Sequence, residues 1–78
     1  MLVGKVQFEC NSNNLREVQL SLYSLLGMKI ASFTRGYTNY CLILRGITMS
    51  DLSDVNDLLS KYRKSKVISY YEVGHFNL

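Results

Sequence analysis

At 78 residues, 47% apolar and 19% charged, the chain has the composition of one small globular domain and suggests neither disorder nor a fibrous repeat. A net charge of +3 permits an acidic partner or an anionic membrane surface without requiring either. No apolar run approaches the roughly 20 residues that cross a bilayer, and the first residues lack the charged, apolar and small-residue order of a secretory leader, so a soluble domain is expected.

Val6, Phe8 and Cys10 alternate with Lys5, Gln7 and Glu9, which predicts a half-buried strand over residues 6–10. Met1 and Leu2 feed directly into it, a start expected of a domain excised from a longer protein. After the polar stretch "NSNN" the period changes: Leu15, Val18, Leu22, Leu25 and Leu26 recur at three- and four-residue steps, an amphipathic helix. Asn14 with Glu17 three residues on fits a capping box, and Gly27 supplies a left-handed stop. Residues 28–35 and 40–47 read as two strands joined at "RGYTNY", where Gly36 and Asn39 tolerate positive φ, a hairpin.

Ser50 opens a second helix, with Leu52, Val55, Leu58, Leu59 and Tyr62 on one stripe and Asp54, Asn56, Asp57, Lys61 and Arg63 on the other. Its charges pass from acidic to basic along its length. "KVISYYEV", residues 66–73, is rich in β-branched and aromatic residues and reads as a last strand; the tail "GHFNL" has no evident element.

Strand, helix, strand, strand, helix, strand is the order of the ferredoxin-like α+β sandwich, a four-stranded antiparallel sheet with two helices on one face. Its first and third strands are central, which suits the apolar run "YCLIL". On the open face, strand parity places Lys5, Gln7, Glu9, Cys41, Ile43 and Arg45. If Val67 and Tyr71 point inward, Ile68 and Tyr70 join them, and Ile43, Arg45, Ile68 and Tyr70 form a candidate interaction surface; the opposite register of the last strand stays open. Pairing of two copies through this face or a strand edge is expected from its apolar content.

Little in the chain resembles machinery for chemistry. Cys10 and Cys41 lack the paired spacing of a zinc or redox site and are expected to be reduced core thiols. Metal-carrying ferredoxin-like domains place two cysteines around the first loop, whereas here only Cys10 is available and Asn13 occupies the position of its partner, so no metal site is expected. Asn11, Ser12, Asn13 and Asn14 are good helix-start residues; the same loop is the candidate effector-binding site. Asp51, Asp54 and Asp57 suit the start of the second helix, and "KYRKSK" suits its end while also offering cations to phosphates. "RGYTNYCLI" resembles the third-strand signature of RNA-recognition sheets, but Asn39 breaks the aromatic alternation and "LVGKVQF" supplies no companion motif. His75 is the sole histidine, no glycine-rich phosphate loop occurs, and neither enzyme activity nor a cofactor is expected.

"NNLREVQLSLYSLLGMKI" resembles the opening of an ACT domain: a loop after the first strand, a leucine entering the helix, a valine a turn later and a glycine before the second strand. With "ITMSDLSDVNDLLSKYRKSKVISYYEV" the similarity spans nearly the whole chain. ACT domains commonly bind amino acids or other small effectors at dimer interfaces, often through a glycine in the first loop, where this chain has Asn13 and Asn14. On "VQFEC", the polar loop, the leucine-rich helix, the hairpin and the closing "KVISYYEV", the chain is also similar to the ACT-like C-terminal cytosolic domain of MgtC/SapB-family membrane proteins. That resemblance implies a single ACT-like domain over residues 1–78, a non-catalytic regulatory or protein-interaction module on the cytoplasmic side of an inner-membrane protein linked to magnesium homeostasis. Its partners would be the membrane portion of that protein and a second copy of the chain. An amino-acid-binding ACT module and a sheet that binds single-stranded nucleic acid are the alternatives.

Overall fold

In the computed structural model, which describes every residue from Met1 to Leu78, the chain runs β1 (Leu2–Glu9), α1 (Ser12–Leu26), a 3-10 turn (Gly27–Lys29), β2 (Ile30–Arg35), β3 (Asn39–Leu44), α2 (Met49–Lys64) and β4 (Tyr70–Asn77). The sheet order is β2-β3-β1-β4 with every neighbouring pair antiparallel. This is the ferredoxin-like sandwich read from the sequence.

Alternation drives it. Val6 and Phe8 of β1, Leu42 and Leu44 of β3, Val18 and Leu22 of α1 and Val55 and Leu59 of α2 have no exposed surface and form one core between sheet and helices. Each contributes about 1.5–3 kcal/mol of apolar burial. The rings of Phe8 and Tyr40 lie 5.3 Å apart and those of Tyr40 and Phe33 6.1 Å apart, so an aromatic row crosses from β1 to β2 beneath the helices.

Both helix starts lie earlier than expected. At α1 the cap is Asn11, whose side chain accepts the Asn13 N–H at 3.0 Å. The Asn14–Glu17 box does not form, because Cys10 N–H is held by Thr38 C=O at 3.1 Å and the chain turns into the helix at once. Asn14 instead sits within the first turn, and its Nδ2 donates to Val67 C=O at 3.1 Å. At α2 the capping box is built from Thr48 and Asp51: Thr48 Oγ1 accepts the Asp51 N–H and Asp51 Oδ2 accepts the Thr48 N–H at 2.8 Å. Gly27 does stop α1 with φ 55, while the hairpin glycine and asparagine keep negative φ. Gly46 at φ 66 ends β3 sooner than expected and swings Ile47 into the core.

The last strand differs most. Lys66 adopts φ 66, and the N–H groups of Val67 and Ile68 both donate to Tyr62 C=O, at 2.9 and 3.4 Å, so this segment wraps the end of α2 and is not yet a strand. Ile68 is therefore 1% exposed in the core and does not lie on the open face. Pairing with β1 begins at Tyr70, opposite Glu9, and runs through the tail to Asn77, opposite Leu2. Beyond it, the Met1 amine donates to Leu78 C=O at 3.1 Å and Leu78 N–H to Met1 C=O at 2.9 Å.

Candidate functional site

The face of the sheet turned away from the helices carries no covering layer. Lys5, Gln7 and Glu9 of β1 share it with Cys41 and Ile43 of β3, their register partners, and with Tyr70, Glu72 and Phe76 of β4. Val3, opposite Phe76, is almost fully buried on this face although it lies outside the main core. Of the expected surface residues, Ile43 and Tyr70 lie on it, Arg45 is exposed just past the end of β3, and Ile68 is absent for the reason given above.

At the end of this face where β1 and β2 finish and β3 and β4 begin, a cleft of about 390 Å³ opens. Gln7, Glu9 and Cys41 line it from the sheet, with Tyr70 on one side and Asn39 of the hairpin on the other; Arg35 borders it too, but it pairs with Tyr40 and so turns its side chain to the helix side of the sheet. The hairpin is held shut by Gly36 N–H donating to Asn39 C=O at 2.7 Å. The volume is at the lower end of small-molecule sites. Its chemistry is mixed: a carboxylate, two amides, a thiol and a phenol ring surround one hollow. Such a set can hold a small polar molecule that bears a basic group for the carboxylate.

Tyr70 O–H donates to the Glu72 carboxylate two residues along the same face. That hydrogen bond first, then partial desolvation and the negative charges of Glu72 and Glu9, hold the phenol protonated above its ordinary range. Both cysteines are free thiols on opposite sides of the sheet: Cys10 faces the core, where burial pushes its thiol up, and Cys41 is half-buried in the cleft. His75 pairs with Gly4, well along β4 from the cleft.

Asn11, Ser12, Asn13 and Asn14 do not line this cleft. Asn11 is spent as the cap, Asn14 is tied to Val67, and Ser12 and Asn13 are exposed. Gln7, Glu9, Asn39 and Cys41 are cleft residues that sequence reasoning did not single out as a site. Their signal is the pairing of Glu9 with Asn39 on one side and Tyr70 on the other, a long-range register that no local motif announces. In the RNA-like segment, Tyr40 points inward and is 3% exposed, so it offers no stacking surface.

Among the acidic residues of α2, Asp51 is engaged. Besides the Thr48 N–H it accepts Lys29 Nζ at 3.0 and 3.1 Å, and the Thr48 hydrogen bond followed by the Lys29 contact holds its carboxyl below the usual range. Asp54 and Asp57 instead border a broad hollow on the outer surface between the helices, about 630 Å³, with Leu20 and Leu25 of α1 and Leu58 and Lys61 of α2. No three metal-ligating side chains converge anywhere in the chain, and no helix is long and apolar enough to cross a membrane.

No family model and no curated protein sequence matches the chain. Solved structures do. One assigned as an antibiotic biosynthesis monooxygenase from Deinococcus radiodurans aligns with a TM-score of 0.66 at 4% identity over 100% of this chain and 92% of its own. The allosteric aspartate kinase of Clostridium acetobutylicum aligns at 0.64 and 12% identity over 95% of this chain and 18% of the kinase. A structural-genomics target from Agrobacterium tumefaciens aligns at 0.61 and 12% identity, covering 99% and 92% of the two chains. Identities this low show a shared fold and leave the activity of each neighbour its own.

Proposed function

We propose that this chain is a non-catalytic, ACT-like regulatory domain whose working surface is the open face of its sheet. The observation that carries the reading is that face itself: uncovered, part apolar through Ile43, Tyr70 and Phe76, and hollowed at one end by the cleft between Asn39, Glu9 and Tyr70. The alignment of the domain with 18% of an allosteric kinase supports a small module of this fold serving within a larger protein. In the version closest to the sequence pattern, the larger protein is a membrane protein of the MgtC/SapB type linked to magnesium homeostasis, and the open face docks on its membrane portion.

A second reading has its own observation. The cleft brings the Glu9 carboxylate and the Gln7 and Asn39 amides to one hollow of amino-acid size, which favours an amino-acid effector held by its ammonium group. One experiment separates the two: two-dimensional amide NMR of the domain titrated with magnesium, with the common amino acids, and with the membrane portion of its parent protein in nanodiscs. Broadening of Lys5, Ile43 and Phe76 amides by the nanodiscs alone is the result expected for docking. Saturable shifts confined to Gln7, Glu9, Asn39 and Tyr70 with one amino acid, lost in Glu9→Gln, would establish the effector reading instead. Silence in every arm would remove both.

A further inference from the structure

On α2, Asp54, Asp57, Lys61 and Lys64 follow one another at steps of three, four and three residues, so they form a single stripe. All four are exposed and lie on the side of the helix away from Leu52, Val55 and Leu59, which enter the core. None of the four is in an ion pair; the ion pair of the structure is Lys29–Asp51. The stripe is therefore acidic in its first half, basic in its second half, and unpartnered.

Such a stripe is complementary to itself when reversed. Turned end over end about the level of Leu59, Asp54 comes opposite Lys64 of the copy, and Asp57 opposite Lys61. Beside the stripe, the hollow between the helices is lined by Leu25 and Leu58, with Leu20 a turn further along α1 and 56% exposed. The hydroxyl contact of Ser21 with Tyr62 fixes the register of the two helices and brings Leu25 to the level of Leu58, next to that same centre. Apolar side chains at the centre and charge pairs at the rim are the anatomy of a specific protein interface.

We propose that two copies of this chain associate through their helical layers, α2 against α2 in antiparallel fashion about a two-fold axis at the level of Leu59. The interface is isologous, so each charge pair occurs twice. Electrostatic complementarity sets its register: all four residues of the stripe find opposite charges only in this alignment, and sliding by four residues places Asp57 opposite Asp57 or Lys61 opposite Lys61. The arrangement goes beyond the proposed role of the sheet and leaves the open face and its cleft free on the two outer sides of the dimer.

Sedimentation velocity on the whole chain tests it, with two variants: Asp54→Lys with Asp57→Lys, and Lys61→Asp with Lys64→Asp. The wild type is expected to form a dimer that dissociates as salt rises. Each variant alone is expected to associate at least about tenfold more weakly, because all its facing charges repel. Mixed in equal amounts, the two are expected to form a heterodimer as tight as the wild type. Circular dichroism on each variant establishes that the helices are intact. A wild type that stays monomeric at its solubility limit overturns the proposal. So does a dimer that ignores both variants but is lost in Ile43→Lys, which would place the contact on the sheet.

Discussion

Asn14 Nδ2 donates to Val67 C=O at 3.1 Å, joining the first turn of α1 to the segment that leads into β4 across 53 residues of sequence. The bond is part-buried and ties the helical layer to an edge of the sheet. Asn14→Ala is expected to lower stability by about 1 kcal/mol through that lost tie, and Asn14→Asp by more, because a carboxylate cannot donate to a carbonyl. Asn11→Ala is expected to cost about 1 kcal/mol for a different reason, as a lost cap. Urea midpoints give both losses, and amide exchange separates them: faster exchange at Ser69 and Tyr70 is expected from the Asn14 variants only.

Asp51 sits where three stabilising contacts meet: the Thr48 N–H, the Lys29 ammonium and the start of α2. Its folded carboxyl is held below the unfolded value, so its contribution is fully present above the unfolded value, about 3.9, and fades as pH falls through the lower folded one. Asp51→Asn is therefore expected to unfold at a lower temperature than the wild type at neutral pH, with the difference closing in acid. Melting curves across pH 2–7 give the comparison. A gap that stays constant down to the lowest pH would contradict the assignment.

Tyr70 is held protonated by Glu72, so its phenol is expected to ionise above the ordinary phenol range. In Glu72→Gln the negative charges are reduced to that of Glu9, and the titration of Tyr70 moves back toward the ordinary phenol range. Ultraviolet difference spectra of wild type, Glu72→Gln and Tyr70→Phe isolate the transition. Because the phenol is raised in the folded state, its stabilising effect is present below the unfolded value and lost as pH rises through the folded one.

Two glycines on paired central and edge strands give opposite expectations. A Cβ on Gly4 meets Ile47 Cδ1 at 2.8 Å, Leu52 Cδ2 at 3.1 Å and Leu44 Cβ at 3.2 Å, so Gly4→Ala is expected to cost about 1 kcal/mol, the isoleucine tip yielding more readily than the leucine stem. A Cβ on Gly74 meets nothing within 4 Å, and Gly74→Ala is expected to stabilise by about 0.5 kcal/mol through a stiffer unfolded chain. Thermal denaturation of the two variants decides the signs.

What the sequence revealed follows the range of the forces involved. The inward rows Val6, Phe8, Cys10 and Tyr40, Leu42, Leu44 were legible because alternation is local, and the stripes of both helices for the same reason. The caps were not, because "NSNN" offers four chemically similar starts and the Thr38–Cys10 hydrogen bond, a tertiary contact, selects Asn11. The tail "GHFNL" showed no element, yet it continues the last strand: Gly74 lies opposite Lys5 in open space where a missing side chain costs the ladder nothing. Ile68 was placed on the wrong face because parity was counted from residue 66, while the left-handed Lys66 and the two bonds to Tyr62 delay the strand to Tyr70. The cleft was hidden for a related reason: Asn39, Glu9 and Tyr70 meet only once β3, β1 and β4 have taken their places.

The two ends of the chain lie side by side at the open end of the β1–β4 ladder, joined by the Met1–Leu78 pair of hydrogen bonds. A pull applied across them acts at right angles to the strands, so it loads one rung at a time from Leu2–Asn77 toward Glu9–Tyr70 rather than all rungs together. As a link under tension this domain is weak in the manner of a zip, and it yields first along the strand that carries Tyr70, Glu72 and Phe76.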